Sequence, residues 1–320
     1  MSSTAPAPSR TGARQRDLTW MVALAAALWG TDALLRLPLT GTYSAGTIVF
    51  VEHLIIVAVT LPWLVPALRA FAAAHARTRV AVVVIGAGAS ALATVLFTQA
   101  FSYGDPVTPV VLQKLQPLVA ILVAAVLLGE RVTRRFPLFA VPALAGAWLL
   151  AFPDPLAVTV SGVQGALLAL SAAALWGTGT VLGRYAGAQI GFRDLTVLRF
   201  AFGLPASLVL VLLLDQPLTV PWRDAPVVAL LALIPGLLAL VLFYRGLRGT
   251  PASRATLAEL AFPFTAALVG VAFLGAVLTG SQWLGLAVLA TTVTALALHE
   301  RLSSSPAVAT PSAVDEAVPV

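Results

Sequence analysis

Apolar residues fill this chain in long continuous blocks, broken by short stretches that hold most of its arginines, prolines and polar clusters. A helix needs about 20 apolar residues to cross the hydrocarbon core of a bilayer. Cutting at charges and prolines gives ten such blocks, at residues 18–37, 44–65, 79–101, 107–129, 135–152, 161–183, 193–214, 226–246, 253–275 and 281–299. None carries the period-two alternation of a barrel strand, so helices are expected throughout. The first block contains Asp32 and has no small-residue cleavage site, which makes it a retained span and not a signal peptide. Residues 1–17 and 302–320 are polar or Pro/Ser/Ala-rich tails with no packing pattern.

The connections alternate in charge. Arginines gather before the first block, between blocks two and three (Arg69, Arg77, Arg79), four and five (Arg131, Arg134, Arg135), six and seven (Arg184, Arg193), eight and nine (Arg245, Arg248, Arg254), and after the tenth (Arg301). The intervening loops hold only Arg223. Basic loops stay cytoplasmic, so both termini are expected in the cytoplasm and the number of spans is even.

Composition agrees. Only 10% of the 320 residues are charged, against about 25% in soluble domains, and mean hydropathy is +0.96. The net charge of +6 is spread along loops and forms no basic face, so nucleic acid is not an expected partner; a lipid bilayer is. With no cysteine, disulfides, thiolate metal sites and a cysteine nucleophile are excluded. No cofactor or metal is expected.

The chain repeats itself. "AAALWGTDALLR" (Ala25–Arg36) returns as "AAALWGTGTVLGR" (Ala172–Arg184), with Trp29 and Trp176 lying 147 residues apart. A second pair of segments starts at Phe97 and Phe243, 146 apart, and aligns Pro117 with Pro263 and Gly129 with Gly275. Two repeats, 18–153 and 154–301, therefore hold five spans each. Five is odd, so the second repeat enters the membrane from the opposite side. The expected fold is an all-α integral membrane protein: ten transmembrane helices as two inverted five-helix repeats, an architecture associated with alternating-access carriers.

These segments resemble the EamA type of the drug/metabolite transporter superfamily, through "AAALWGT" in both copies, "LLGERVT" (Leu127–Thr133) and "GTPASRATLAELAFPFTAALVGVAFLG". The resemblance covers about residues 18–300 and implies ten helices around a central cavity and transport of small metabolites. One departure is that the second "LGE" reads "LGA", with Ala276 opposite Glu130. Glu130 is accordingly read as a cytoplasmic helix-end residue.

Ionisable side chains at membrane depth usually face a partner or a watery cavity. Away from helix ends these are Asp32, Arg36, Glu52, His53, Lys114, Arg199 and Glu259. At 1.5 Å per residue, Glu52 and Lys114 lie about 12 and 10 Å inside the outer ends of their spans, and Arg199 and Glu259 about 9 Å from the cytoplasmic ends of theirs. The repeat aligns Glu52 with Arg199 and Gln113 with Glu259. Two facing pairs are expected: Glu52 with Lys114, and Arg199 with Glu259. They either line a path for a polar solute or merely tie helices together. Asp32 and Arg36, spaced i, i+4, share a face and can neutralise each other. His53 is a proton carrier or a hydrogen-bonded bystander. Gln99, Gln113 and Gln116 bind solute or bridge helices. Trp29 and Trp176 form an aromatic wall or pack where Gly30 and Gly177 admit a neighbouring backbone. Pro117 and Pro263, read as mid-helix, are hinge or kink candidates.

The expected function is secondary transport, by export, of a small polar or zwitterionic metabolite such as an amino acid. Asp32, Glu52, Lys114, Arg199, Glu259, Gln113, Trp29 and Trp176 are the candidate solute-binding residues. No P-loop supports ATP hydrolysis, and no HExxH or GxSxG motif supports an enzyme. A lipid-linked substrate flippase is the nearest alternative; a channel would need a continuous polar lining.

Overall fold

The computed structural model of the chain describes residues 18–103, 107–129, 132, 134–157, 160–247, 258 and 261–303. Among these the secondary structure is all helical. Seven helices are long and apolar enough to cross a membrane: α1 (Thr19–Thr40), α2 (Ala45–Ala73), α3 (Ala76–Ala100), α4 (Val107–Leu128), α6 (Gly162–Ala186), α7 (Phe192–Leu213) and α8 (Ala225–Gly246). Three shorter apolar helices complete the described chain: α5 (Phe136–Ala151), α9 (Ala261–Phe273) and α10 (Gly280–Leu296). Much of the outer surface is leucine, valine and tryptophan, as lipid contact requires. An open apolar groove beside Leu122, Val123, Val126 and Leu127 belongs to that surface.

Departures from regular helix recur at repeat-related positions. A π-helical segment opens α3 at Ile85–Leu92, and another opens α8 at Ala232–Leu238, starting 147 residues later. Gly129 and Gly275 both take a left-handed conformation, φ 69° and 66°, where a Cβ would be strained. The two repeats thus share local backbone solutions as well as sequence.

The repeats interlock reciprocally. Trp29 of α1 packs on Phe243 of α8 with ring centroids 5.0 Å apart; its counterpart Trp176 of α6 packs on Phe97 of α3 at 5.2 Å. A Cβ on Gly30 would sit 2.8 Å from the Phe262 carbonyl oxygen of α9, and one on Gly177 would sit 2.9 Å from that of Gln116 in α4. Each "WG" pair therefore packs against the opposite repeat, its glycine admitting a backbone at a distance no side chain allows. The close backbone approach expected at the two glycines is thus present in the structure. Gly146 and Gly285 do the same between α5 and α10.

Each face of the bundle also has a tie between repeats. At one, Tyr43 donates to Asp224 and Thr47 Oγ1 donates to the Pro217 carbonyl at 2.5 Å. At the other, Gln189 accepts from the His75 amide at 2.9 Å and donates to Thr78 at 2.8 Å. Under the repeat the Tyr43–Asp224 and Gln189–Thr78 bonds correspond to within one residue.

Candidate functional site

The charged side chains of the first repeat assemble where α1 breaks. Its helix ends at Gly30 and resumes at Asp32, so Asp32 occupies the first turn of a new segment, the end of a helix that favours negative charge. Arg36 lies one turn on. Its Nε and Nη2 donate to Asp32 Oδ1 and Oδ2 at 2.6 and 2.9 Å. Its Nη1 and Nη2 also donate to Glu52 Oε2 and Oε1 of α2, both at 3.0 Å. Nη1 makes a fifth bond, 2.7 Å, to Thr98 Oγ1 of α3. A guanidinium has five N–H donors, and here all five are used. Arg36 is 3% exposed and Glu52 5%, while the Asp32 side chain retains 14%.

This corrects the expected pairing of Glu52 with Lys114. Glu52 takes Arg36, and the i, i+4 neutralisation of Asp32 by Arg36 is realised as part of the same cluster. Lys114 has turned elsewhere: its ammonium lies 3.8 Å from the ring centroid of Phe262 in α9. The local cause is Pro117. It has no N–H for the Gln113 carbonyl, and the Gln116 amide takes that carbonyl in a tighter 3₁₀ turn at Gln113–Leu115. Lys114 and Gln113, both half-buried, sit in that turn. Pro117 thus lies just inside the helical segment that follows, whereas the residues just before α9, which carries Pro263, lie outside the described residues. Pro117 occupies a position where a missing amide costs little, not the interior of a regular helix as expected.

In the second repeat, Arg199 of α7 stands at the position of Glu52. Its Nη2 donates to the Ala89 carbonyl of α3 at 3.0 Å, inside the π-helical segment. Its Nε is buried and has no partner among the described residues. The expected partner, Glu259, lies outside the described residues, as does Glu130. Between the two clusters sits His53, buried and held by the Val49 carbonyl at 2.8 Å and Ser90 Oγ at 2.9 Å. It packs edge-on against Phe200, its own repeat counterpart, with centroids 5.5 Å apart. Both Arg36 and Arg199 are within electrostatic range of it. Gln116 bridges α4 to Thr180 of α6 at 3.0 Å.

Thr98, Ser90 and Tyr244 join this constellation unforeseen. A spacing was available for two of them: Thr98 and Tyr244 are 146 residues apart, the offset that aligns the neighbouring Phe97 and Phe243.

The EamA-like transporter family matches residues 18–152 and again 163–298. The chain belongs to this family. It is 33% identical over 199 residues to the uncharacterized transporter YwfM of Bacillus subtilis (strain 168), across 61% of this chain and 65% of that protein. It is 28% identical over 274 residues to the riboflavin transporter ImpX of Fusobacterium nucleatum subsp. nucleatum, across 82% of this chain and 91% of that one. A crystal structure of a protein with 23% identity superposes with a TM-score of 0.60, over 90% of this chain and 99% of its own, which speaks to the fold alone. The family and both named relatives are described as transporters, and the chain is accordingly a multi-pass membrane protein of a transporter family.

Proposed function

We propose that this EamA-like protein is a ten-span secondary carrier that moves a small polar or zwitterionic metabolite out of the cell by alternating access. The observation that carries the reading is reciprocity. Trp29 on Phe243 mirrors Trp176 on Phe97, and Gly30 on α9 mirrors Gly177 on α4. Contacts in which each copy gives the other what it receives follow from a two-fold relation. Five spans per repeat put that axis in the membrane plane, so the outward-open and inward-open states are near mirror versions of one packing. α5, α9 and α10 are taken as short spans that complete the ten. The arginine-rich loops orient both termini to the cytoplasm of the cell membrane.

Charge supports a polar solute. Two carboxylates meet one guanidinium at Asp32, Arg36 and Glu52, a cluster with negative excess, while Arg199 is a cation across the His53–Phe200 contact. A solute with opposite charges at its two ends suits that separation. The likeness to a riboflavin transporter adds a flavin to the solutes worth testing.

The test is counterflow in proteoliposomes, with candidate solutes drawn from metabolites that accumulate outside cells overexpressing the protein. Saturable exchange that is accelerated by unlabelled solute on the far side supports a carrier; flux that rises linearly and ignores the far side is a channel's and refutes it. Because the chain has no native cysteine, single cysteines in residues 1–17 and 302–320 report topology without background. Labelling of the two tails from opposite sides would end the ten-span scheme.

A further inference from the structure

The two repeats treat equivalent positions in opposite ways. In the first, a charge at position 52 is met by Arg36, which Asp32 holds in place and Thr98 completes. The equivalent positions of the second repeat are Arg199 for Glu52, Gly183 for Arg36, Gly179 for Asp32 and Tyr244 for Thr98. Both charged partners have become glycine. The first guanidinium spends all five of its N–H groups on protein; among the described residues, the second spends one, on the Ala89 carbonyl.

The glycines also shape the space. A Cβ on Gly183 would meet nothing closer than Leu195 Cδ2 at 4.0 Å, so the place of the missing arginine is open. At Gly179 a Cβ would lie 2.3 Å from that of Ala89, so α6 presses directly on the π-helical segment whose carbonyl orients Arg199. Arg199 is half-buried, with its Nε enclosed and unpartnered. Tyr244 lies within its electrostatic range, its ring fixed against Phe192 at 3.9 Å and Phe243 at 5.6 Å. A guanidinium with donors to spare, one edge pinned by a carbonyl and an aromatic hydroxyl bearer alongside, is a fork shaped for an oxyanion.

We infer that Arg199 is the anion anchor of the solute site: it takes a carboxylate or phosphate oxygen through its unspent N–H groups, with Tyr244 flanking. This deepens the carrier reading and rests on it, because it assigns an anionic group to the transported solute. The asymmetry between repeats has a reason under this reading. Self-neutralised Arg36 holds helices together, while glycines in the second repeat leave the matching charge for a ligand.

The experiment uses the purified full-length protein, with thermal unfolding followed through its seven tryptophans. The probes are L-alanine, L-alaninamide and inorganic phosphate. L-Alanine or phosphate should raise the unfolding midpoint saturably and alaninamide should not. Arg199→Gln should weaken the effective anion about 10- to 100-fold, the range for a lost hydrogen bond to a charged group. Arg199→Lys keeps the charge and serves as the folding control, with intermediate affinity. Three results overturn the inference: no response to either anion in the wild type, a response that survives Arg199→Gln, or one that emerges only in Glu259→Gln, which would mean that Glu259 already fills the guanidinium. Counterflow separates the two proposals. If Arg199→Gln exchanges solute with unchanged half-saturation, the carrier stands and the anchor falls; if anions bind through Arg199 but no counterflow exists, the anchor stands and the carrier falls.

Discussion

Arg36→Met should be the most damaging single substitution in the first repeat. Methionine approximates the arginine stem but removes the guanidinium. Asp32 and Glu52 are then left facing each other, each having lost two hydrogen bonds at once. Both are held away from water, with 14% and 7% of their side chains exposed. Removing one partner of a buried ion pair costs about 3–5 kcal/mol, which is about 150- to 4,000-fold in the folding equilibrium. Glu52→Gln should cost less. The guanidinium keeps its bidentate bond to Asp32, and what is lost is one charge-assisted pair plus a donor–donor clash, about 1–3 kcal/mol. The double substitution Arg36→Met with Glu52→Met should recover part of the loss, since one orphaned carboxylate disappears and methionine packs in apolar surroundings. The assay is denaturing-detergent titration in mixed micelles, read by loss of helical circular dichroism. If Arg36→Met costs less than about 1 kcal/mol, or less than Glu52→Gln, the cluster is not the fastening described.

The tie between Tyr43 and Asp224 should depend on pH at both extremes. The hydrogen bond from Tyr43 holds the Asp224 carboxyl below its ordinary range, and the same bond pushes the Tyr43 hydroxyl above its usual value of 10.0. Its contribution is therefore full at neutral pH, is lost as pH falls through the folded-state value of Asp224, and is lost again as Tyr43 ionises above about 10. A fluorescence distance between the two loops should open at both ends in the wild type and stay pH-independent in Tyr43→Phe. Gly30→Ala and Gly177→Ala should each destabilise by about 1–3 kcal/mol, because the new methyl meets backbone on the opposite repeat; equal losses in thermal unfolding are expected, and a neutral result at either would remove the close approach. Gly183→Ala, with open space around it, should leave stability unchanged by the same measurement.

What could be read from residue order is everything that runs along the helix axis. Blocks of apolar residues locate the helices, because a helix in lipid satisfies its backbone internally and needs only length and apolarity. The repeat offset aligns Trp29 with Trp176, Glu52 with Arg199 and Gly129 with Gly275, and the structure repeats ring contacts, π segments and left-handed glycines at that offset. Position along a helix follows from order too, since each residue advances the axis by 1.5 Å. Lateral neighbours were not. Lys114 and Arg36 both bear a positive charge in the same half of the bundle as Glu52, and depth does not choose between them. Rotation about the axis and the order of helices around the bundle do, and both are set by packing between segments distant in sequence. The break at Thr31 swings Arg36 onto Glu52, while the 3₁₀ turn ahead of Pro117 sends Lys114 to Phe262. Tertiary structure alone decided that Arg36 is spent on its own fold, whereas among the described residues Arg199 donates only to the Ala89 carbonyl.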